Sequence, residues 1–476
     1  MRRGLRRIRR LLTVAAMVVL ACTVSLAQTL HLPPHERVVL KNGLTLLLLE
    51  KRGVPLVNIS AIVKAGAAAD PAGEEGLAAT TAGLLRKGTK KRSAQQFAAD
   101  LDYIGGEFEA EAGPDFTTIN MEFQTKDFAR GLDLYADVLI HPTFPQQEAE
   151  KFLAQELDGV KAAKDDPQSV MMSYYQGYLY GMHPYGHPPA GDEISLKQIR
   201  CEDAAKFYAK NYAPGNTILA VAGEFNAAEM KAKLSEAFGA WESRAVKSAA
   251  IPGVAPSKEK RLLLVDKPDA SQTYFAIGNT GIAANDPDRV AIRVVNTIFG
   301  GRFTSELNEA LRVESGYTYG AQSFFDQRKV QGPFVIFSFT KNETTTPAID
   351  LTLQVLAKLH KEGVTQDQLK SAKSYIQGQF PPNIETSRQL ARTIATHEFY
   401  GLGDDEVNEL EARLDAVTPE MARQVIQKHF PAENLVFVLI GKASAIGPAV
   451  QKYAANQDTR LLSDPGFWPA PATGKK

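Results

Sequence analysis

The chain has 476 residues, 44% hydrophobic and 23% charged, with 54 basic and 54 acidic side chains and two cysteines. That length exceeds one ordinary core and calls for two or more domains, and the composition excludes a collagenous, disordered or multi-spanning chain. The balanced charge carries no basic surplus of the kind a nucleic-acid binder shows.

The first residues stand apart. MRRGLRRIRR holds six arginines and no acid, Leu11 to Leu20 is nearly all apolar, and Ser25-Leu26-Ala27 is a small-x-small cleavage pattern. Basic, apolar and small segments in that order read as a secretory signal peptide over residues 1–27. The apolar run is too short for a mature membrane span, and no later segment is longer. Val19-Leu20-Ala21-Cys22 is a weaker, lipoprotein-like alternative, with Leu20 bulky for its position. Removing the six arginines leaves 48 basic against 54 acidic side chains, a net charge near −6. Such a surface suits neither nucleic acid nor an anionic bilayer. Only Cys201 remains, so no internal disulfide is expected.

Further along, EEGLAATTAGLLRKGT (Glu74 to Thr89) reads as a helix with a leucine-bearing face and a stop at Gly88. Its other face presents Ala79, Ala82 and Gly83, spaced i, i+3 and i+4, and bears no functional group. Ser93 should cap a helix whose Phe97, Leu101 and Ile104 share one side before Gly105 ends it. Thr118 to Phe123, TINMEF, alternates as a half-buried antiparallel strand does. In QQEAEKFLAQELDGVKAAKDDP, Ala149, Leu153, Leu157 and Val160 form an apolar arc, with Glu156 between that arc and Phe152. Either Glu156 reaches water at the edge of the stripe, or it marks a former metal or hydrogen-bond position. His183 and His187 are four apart, but prolines at 184, 188 and 189 make the segment loop. The other histidines show no ligand spacing.

The chain repeats itself. LKQIRCEDAAKFYAKNYAPGNTILAVAGEFN from Leu196 and LDAVTPEMARQVIQKHFPAENLVFVLIGKAS from Leu414 match at an offset of 218, and AIVKAGAAADP and AIGNTGIAANDP, ending at Pro71 and Pro287, match at 216. Both echoes imply a duplicated domain of about 220 residues. The seam falls in the Pro-, Ser- and Ala-rich stretch 243–259. The expected layout is a first domain over 28–242, the linker, a second domain over 260–457 and a tail over 458–476. The class is α+β: two homologous domains, each a mainly antiparallel sheet with helices on one face. In the second domain, Thr304 or Ser305 should cap a helix running to about Ser315, Gly316 ends it, and Tyr317 and Tyr319 begin a strand. Phe334 to Phe339, FVIFSF, is a more apolar strand. Read from spacing alone, Arg312 favours the negative end of its helix and Tyr319 is a strand aromatic.

LKNGLTLLLLEKRGVPLVNISAIVKAGAAADPAGEEGLA, LRKGT, YGMHPYGHPPAGDEISLKQI, NYAPGNTILAVAGEFN and ALRVESGYTYG together resemble the pitrilysin–insulinase family of zinc peptidases, in the two-domain branch that includes the mitochondrial processing peptidases. The resemblance covers almost all of the chain after residue 27. In that family an inverted His-x-x-Glu-His motif on one helix binds zinc through two imidazoles, while the glutamate activates water and a distal glutamate completes the ligands. Those positions fall here on Ala79, Ala82, Gly83 and Glu156, so three of the four groups are absent. No metal is expected in this chain. The resemblance also implies that Arg312 and Tyr319, seven apart, reach into the active cavity to hold the peptide and the tetrahedral intermediate, as guanidinium and phenol donors can. Gly300-Gly301 falls where a non-catalytic subunit carries a longer substrate-meeting glycine loop, and a plain turn is an equal alternative.

The expectation is therefore a non-catalytic subunit of a secreted, periplasmic heterodimeric zinc peptidase, whose homologous partner supplies zinc and an intact motif and closes with it around a peptide. Two other readings stand beside it: an inactive peptide-binding or assembly protein of this fold, and a stand-alone peptidase with unrecognised chemistry.

Overall fold

The computed structural model describes residues 31–247 and 250–467. The expected signal peptide and Cys22 lie outside them. Two six-stranded sheets carry the fold. The first contains β1 (Glu36–Val39), β2 (Thr45–Glu50), β3 (Leu56–Val63), β4 (Glu107–Ala112), β5 (Thr117–Gln124) and β6 (Thr217–Gly223), in the order β1-β2-β6-β3-β5-β4. The second contains β7 (Arg261–Asp266), β8 (Gln272–Thr280), β9 (Ala321–Phe325), β10 (Pro333–Lys341), β11 (Val436–Gly441) and β12 (Asn456–Leu461), in the order β12-β7-β11-β8-β10-β9. Position for position, β2, β6, β3, β5 and β4 answer to β7, β11, β8, β10 and β9. The registers agree as well: Ile59 sits between Met121 and Val221, and Ile277 between Ile336 and Phe437. Most pairings are antiparallel; β2–β6, β7–β11 and β7–β12 are parallel. The sheet takes in residues on both sides of the 457/458 boundary, so the expected tail begins inside a strand.

The main helices of the first half are α1 (Leu77–Leu84), α2 (Ala94–Tyr103), α3 (Phe128–Ile140), α4 (Gln146–Ala163), α5 (Pro167–Tyr180), α6 (Cys201–Asn211) and α7 (Ala227–Gly239). The second half supplies α8 (Arg289–Phe299), α9 (Thr345–Glu362), α10 (Gln366–Gln379), α11 (Ser387–Tyr400), α12 (Pro419–His429) and α13 (Ala443–Val450). Ser93 does cap α2, in a reciprocal box with Gln96.

The expectation of helices on one face is corrected by an exchange. In TLLLLE, Leu46 and Leu48 join the core under the first half's own helices, while Leu47 and Leu49 meet Leu390 and Ile394 of α11. In RLLLVD, Leu262 and Leu264 face their own helices, while Leu263 and Val265 meet Met171, Tyr174 and Tyr175 of α5. Each half thus lends one helix to the other's sheet. A strand buried on both faces needs an unbroken apolar run, which both sequences have. The tyrosines of α5 fasten this contact. Tyr174, Tyr175 and Tyr178 donate to the carbonyls of Leu462, Phe334 and Leu262 at 3.3, 3.2 and 3.2 Å.

Polar contacts cross the seam too. Buried Asp115 accepts from Tyr185, from Tyr400 Oη at 3.0 Å and from the Lys329 amide at 2.8 Å. Lys164 and Glu193, each 8% exposed, pair at 2.5 Å and hold the 464–466 backbone. Leu462 and Phe467 are buried beside α5. In the interdomain stretch, Arg244 donates to the Tyr212 carbonyl and the Ser257 amide to Asn279 Oδ1 at 2.9 Å, so its described residues lie pinned along the surface.

Candidate functional site

Helix α1 is set by its approach. Asp70 accepts from the Gly76 and Ala78 amides at 2.8 Å each, satisfying two of the unpaired donors of the first turn. Burial pushes the Asp70 carboxyl well up from its ordinary value, against those amides. Gly76 has φ +98°, and a Cβ there would stand 2.9 Å from the Ala190 carbonyl. Only glycine suits that left-handed, crowded turn.

On α1, Ala79 is half-buried, Ala82 fully buried and Gly83 half-buried. Methyl groups and a hydrogen offer no ligand atom, and the space is not vacant. A Cβ on Gly83 would overlap the ring of Phe152 from α4, at 2.6 Å from Cε2 and closer still to Cζ. The aromatic ring stands where a second imidazole would leave the helix, so the residues present do not fit zinc. The sequence places Phe152 beside Glu156 on α4 but does not show that its ring lies across Gly83. The i to i+4 spacing on α4 was the available signal.

Glu156 is half-buried and forms no hydrogen bond or ion pair among the described residues. Burial raises its carboxyl above the ordinary value, with nothing opposing it. His183 and His187 sit around a short 3-10 turn, Pro184–Gly186. His183 Nδ1 accepts from the Tyr185 amide at 3.0 Å and its Nε2 meets the Pro252 carbonyl at 2.9 Å. His187 is buried, which lowers its pKa. Among the described residues, Asp286, Asp288 and His429 come near enough to share a cation. However, Asp288 Oδ2 already takes Lys428 Nζ at 2.7 Å and His429 Nε2 at 2.8 Å, so an ammonium occupies that position.

The second half departs from expectation where Arg312 lies. After Ser305 comes one short helical turn, Glu306–Asn308, and then a π-helix, Glu309–Glu314. The Ser315 amide reaches back to the Ala310 carbonyl at 3.1 Å, and Tyr317 to Leu311 at 2.9 Å. π-turns are rare and concentrate at functional sites. No strand begins at Tyr317. Thr318 Oγ1 bonds both the amide and the carbonyl of Gly320, and Ser338 Oγ also takes that carbonyl. Local side-chain bonds therefore replace a ladder, and β9 starts at Ala321.

Arg312, Tyr319, Gly300 and Gly301 share the wall of one depression of about 610 Å³, reached also by Gln168 at the start of α5. No residue of α1 or α4 lines it, so the Arg/Tyr pair and the vacated helix face do not share one pocket. Arg312 lies 4.3 Å above the ring of Phe303, and Tyr319 is 80% exposed. Gly300 ends α8 in a turn, and a Cβ there would stand 2.6 Å from the Ser323 amide. Gly300 thus permits close approach of β9, and Gly301 packs against Asn296 and Thr297 in the last turn of α8.

The chain matches two family profiles: "Insulinase (Peptidase family M16)" over residues 46–193 and "Peptidase M16 inactive domain" over residues 198–376. Among relatives, an uncharacterized zinc protease of Streptomyces coelicolor is 24% identical, over 78% of this chain and 80% of that one. Another, from Bacillus subtilis, is 23% identical over 83% and 96%. A solved structure described as the peptidase M16 inactive domain from Pseudomonas fluorescens superposes with a TM-score of 0.81 at 26% identity, over 86% of this chain and 98% of that one. A protease from Helicobacter pylori shares the fold, with a TM-score of 0.78 at 21% identity over 86% and 100%.

Proposed function

This chain belongs to the insulinase family of peptidases, M16, and from that premise we propose that it is the non-catalytic subunit of a secreted heterodimeric zinc peptidase. Its homologous partner carries the intact His-x-x-Glu-His helix and the zinc. This chain contributes Arg312 and Tyr319 to the peptide and to the developing oxyanion. The observation that carries the reading is the contrast between two places. The face of Ala79, Ala82 and Gly83 is closed by Phe152 and has no base, while Arg312 and Tyr319 stand together at an open, peptide-sized depression. A helix with no imidazole and no carboxylate on that face cannot activate water for peptide cleavage. The basic-then-apolar leader supports export to the periplasm.

The test is co-expression with a homologous chain that has the intact motif. The pair is expected to co-purify and hydrolyse peptides. Arg312→Ala or Tyr319→Phe is expected to lower kcat/KM, by about 100-fold where an oxyanion donor is lost. A partner that is fully active alone and unchanged by this chain would sink the reading. A pair that assembles but cleaves nothing would identify an assembly protein instead. Chelator-sensitive cleavage by this chain alone would identify a stand-alone peptidase.

A further inference from the structure

The depression that holds Arg312 and Tyr319 has a definite chemical character. Among the described residues, its only charged wall residues are Arg302 and Arg312. Neither guanidinium pairs with a carboxylate among the described residues. Arg302 Nη1 donates to Ser371 Oγ at 2.9 Å, and its Nε is buried with no hydrogen-bond partner. By contrast Arg37, Arg92, Arg289, Arg328, Arg388 and Arg413 all have carboxylate partners. A buried donor left without an acceptor is uncommon and asks for an explanation.

Aromatic side chains share the rest of the wall with neutral polar ones such as Gln168, Asn308 and Gln322. Arg312 covers Phe303, Arg302 lies 5.9 Å from the Tyr375 ring, and Phe339 stacks on Tyr274. Phe303, Tyr319 and Tyr375 are exposed by 67%, 80% and 40%. Three large aromatics left open around one hollow form an apolar contact surface of the kind that marks binding. A main-chain strand does not complete the site on β9. The Ser323 amide already donates to Gly300 and its carbonyl accepts from Asn296 Nδ2 at 2.9 Å. Recognition here must run through side chains.

We propose that this depression selects peptide segments in which a side-chain carboxylate stands next to an aromatic residue. The carboxylate meets Arg302 and Arg312, and the neighbouring ring packs among Phe303, Tyr319 and Tyr375. This selectivity rests on the reading of the chain as a peptide-binding subunit. Arginines held against rings keep their planes fixed and partly dehydrated, which favours a planar carboxylate over a neutral amide.

The experiment uses the purified chain from residue 28 onward and calorimetry. The probes are nonapeptides acetylated and amidated at their ends, so that no terminal carboxylate contributes. Three differ only in Glu, Gln or Lys beside a central Phe, and a fourth replaces that Phe by Ala in the Glu peptide. The Glu peptide is expected to bind at least 10-fold tighter than the Gln peptide, with Lys weakest, and its advantage should shrink at 0.5 M salt. The Phe→Ala peptide should lose most of its affinity. Arg302→Gln and Arg312→Gln should each erase the preference for Glu over Gln. Arg302→Lys, which keeps the charge but not the fork, should retain part of it. Thermal melts establish that each variant is folded. Equal binding of the three peptides, or a preference for Lys, overturns the selectivity and leaves peptide binding standing. Discrimination that survives in both Gln variants overturns the assignment to these arginines. Failure of all four peptides to bind overturns the proposal together with the peptide contact it rests on.

Discussion

The ring of Phe152 should resist any attempt to restore a ligand at position 83, and the resistance can be measured as a coupling. Gly83→Ala replaces a helix-interior glycine, which alone would stabilise by about 0.5–1 kcal/mol. The new Cβ overlaps the Phe152 ring, and overpacking of this kind destabilises by about 1–3 kcal/mol. The net expectation is a loss of about 0–2.5 kcal/mol. Phe152→Ala alone removes a half-buried aromatic and should destabilise by about 2 kcal/mol, roughly half the full-burial value. In that background the overlap is gone, so Gly83→Ala should become stabilising. A urea-unfolding double-mutant cycle should therefore show a coupling of about 1–3 kcal/mol. The same logic extends to metal. The triple change A79H/A82E/G83H should take up no zinc with Phe152 in place. Adding Phe152→Ala opens the space, and stoichiometric zinc, held with Glu156, should appear by elemental analysis. A cycle additive within about 0.5 kcal/mol, or zinc in the triple variant, would refute the claim that the ring closes this face.

Two further outcomes follow from buried charge. Glu156 has its folded pKa raised by burial, so ionising it works against folding. That penalty is absent below the unfolded value and complete above the folded one. Glu156→Gln should thus melt at or above the temperature of the parent at pH 7 and together with it near pH 4, by calorimetry. Glu193 behaves in the opposite sense. Burial pushes its carboxyl up, but Lys164 and the Gly466 amide outweigh that and hold it below the ordinary value. The stability it contributes is present above the unfolded value and lost as pH falls through the lowered one. Lys164→Met leaves Glu193 buried and unpaired, and should destabilise by about 3–5 kcal/mol in urea. Much of that loss should return in K164M/E193Q.

What the sequence carried was local and repeated. The offset of 216 to 218 residues foretold two sheets with the same strand order, because a buried strand announces itself by its apolar run. The helix after Ser93 was legible from its cap and its one-sided apolar spacing. What it hid was contact between distant segments. Nothing near Gly83 says that Phe152, 69 residues on, will lie across it. Nothing in PQSVMMSYYQGYLY says which sheet its tyrosines will cover, only that they are many. The π-turn before Tyr317 was invisible because Glu309 to Glu314 has ordinary helical composition. The strand expected at Tyr317 failed because Thr318 bonds its own neighbour, a competition that strand propensity does not register. The strand at 456–461 was missed because NQDTRL is polar, and an edge strand half open to water needs no apolar run.

The exchanged helices bear on where motion can occur. To swing the two sheets apart within one chain, α5 would have to leave β8 and β11, and α11 would have to leave β2, β3 and β6. The first separation would uncover Tyr174, Tyr175, Val438 and Ile440 and break the tyrosine bonds to Leu262, Phe334 and Leu462. The second would uncover Leu47, Ile62, Ile218 and Ile394. Each fully buried side chain of this size returned to water costs about 1.5–3 kcal/mol. The eight together reach the whole stability of an ordinary domain. Opening within the chain is thus equivalent to unfolding it, and the two halves move as one body. If a chamber opens and closes around a peptide, as the proposed function requires, the hinge must lie between this chain and its partner. The depression at Arg302 and Arg312 then travels rigidly with this subunit, presenting its arginines and open aromatic rings to the substrate in one fixed arrangement.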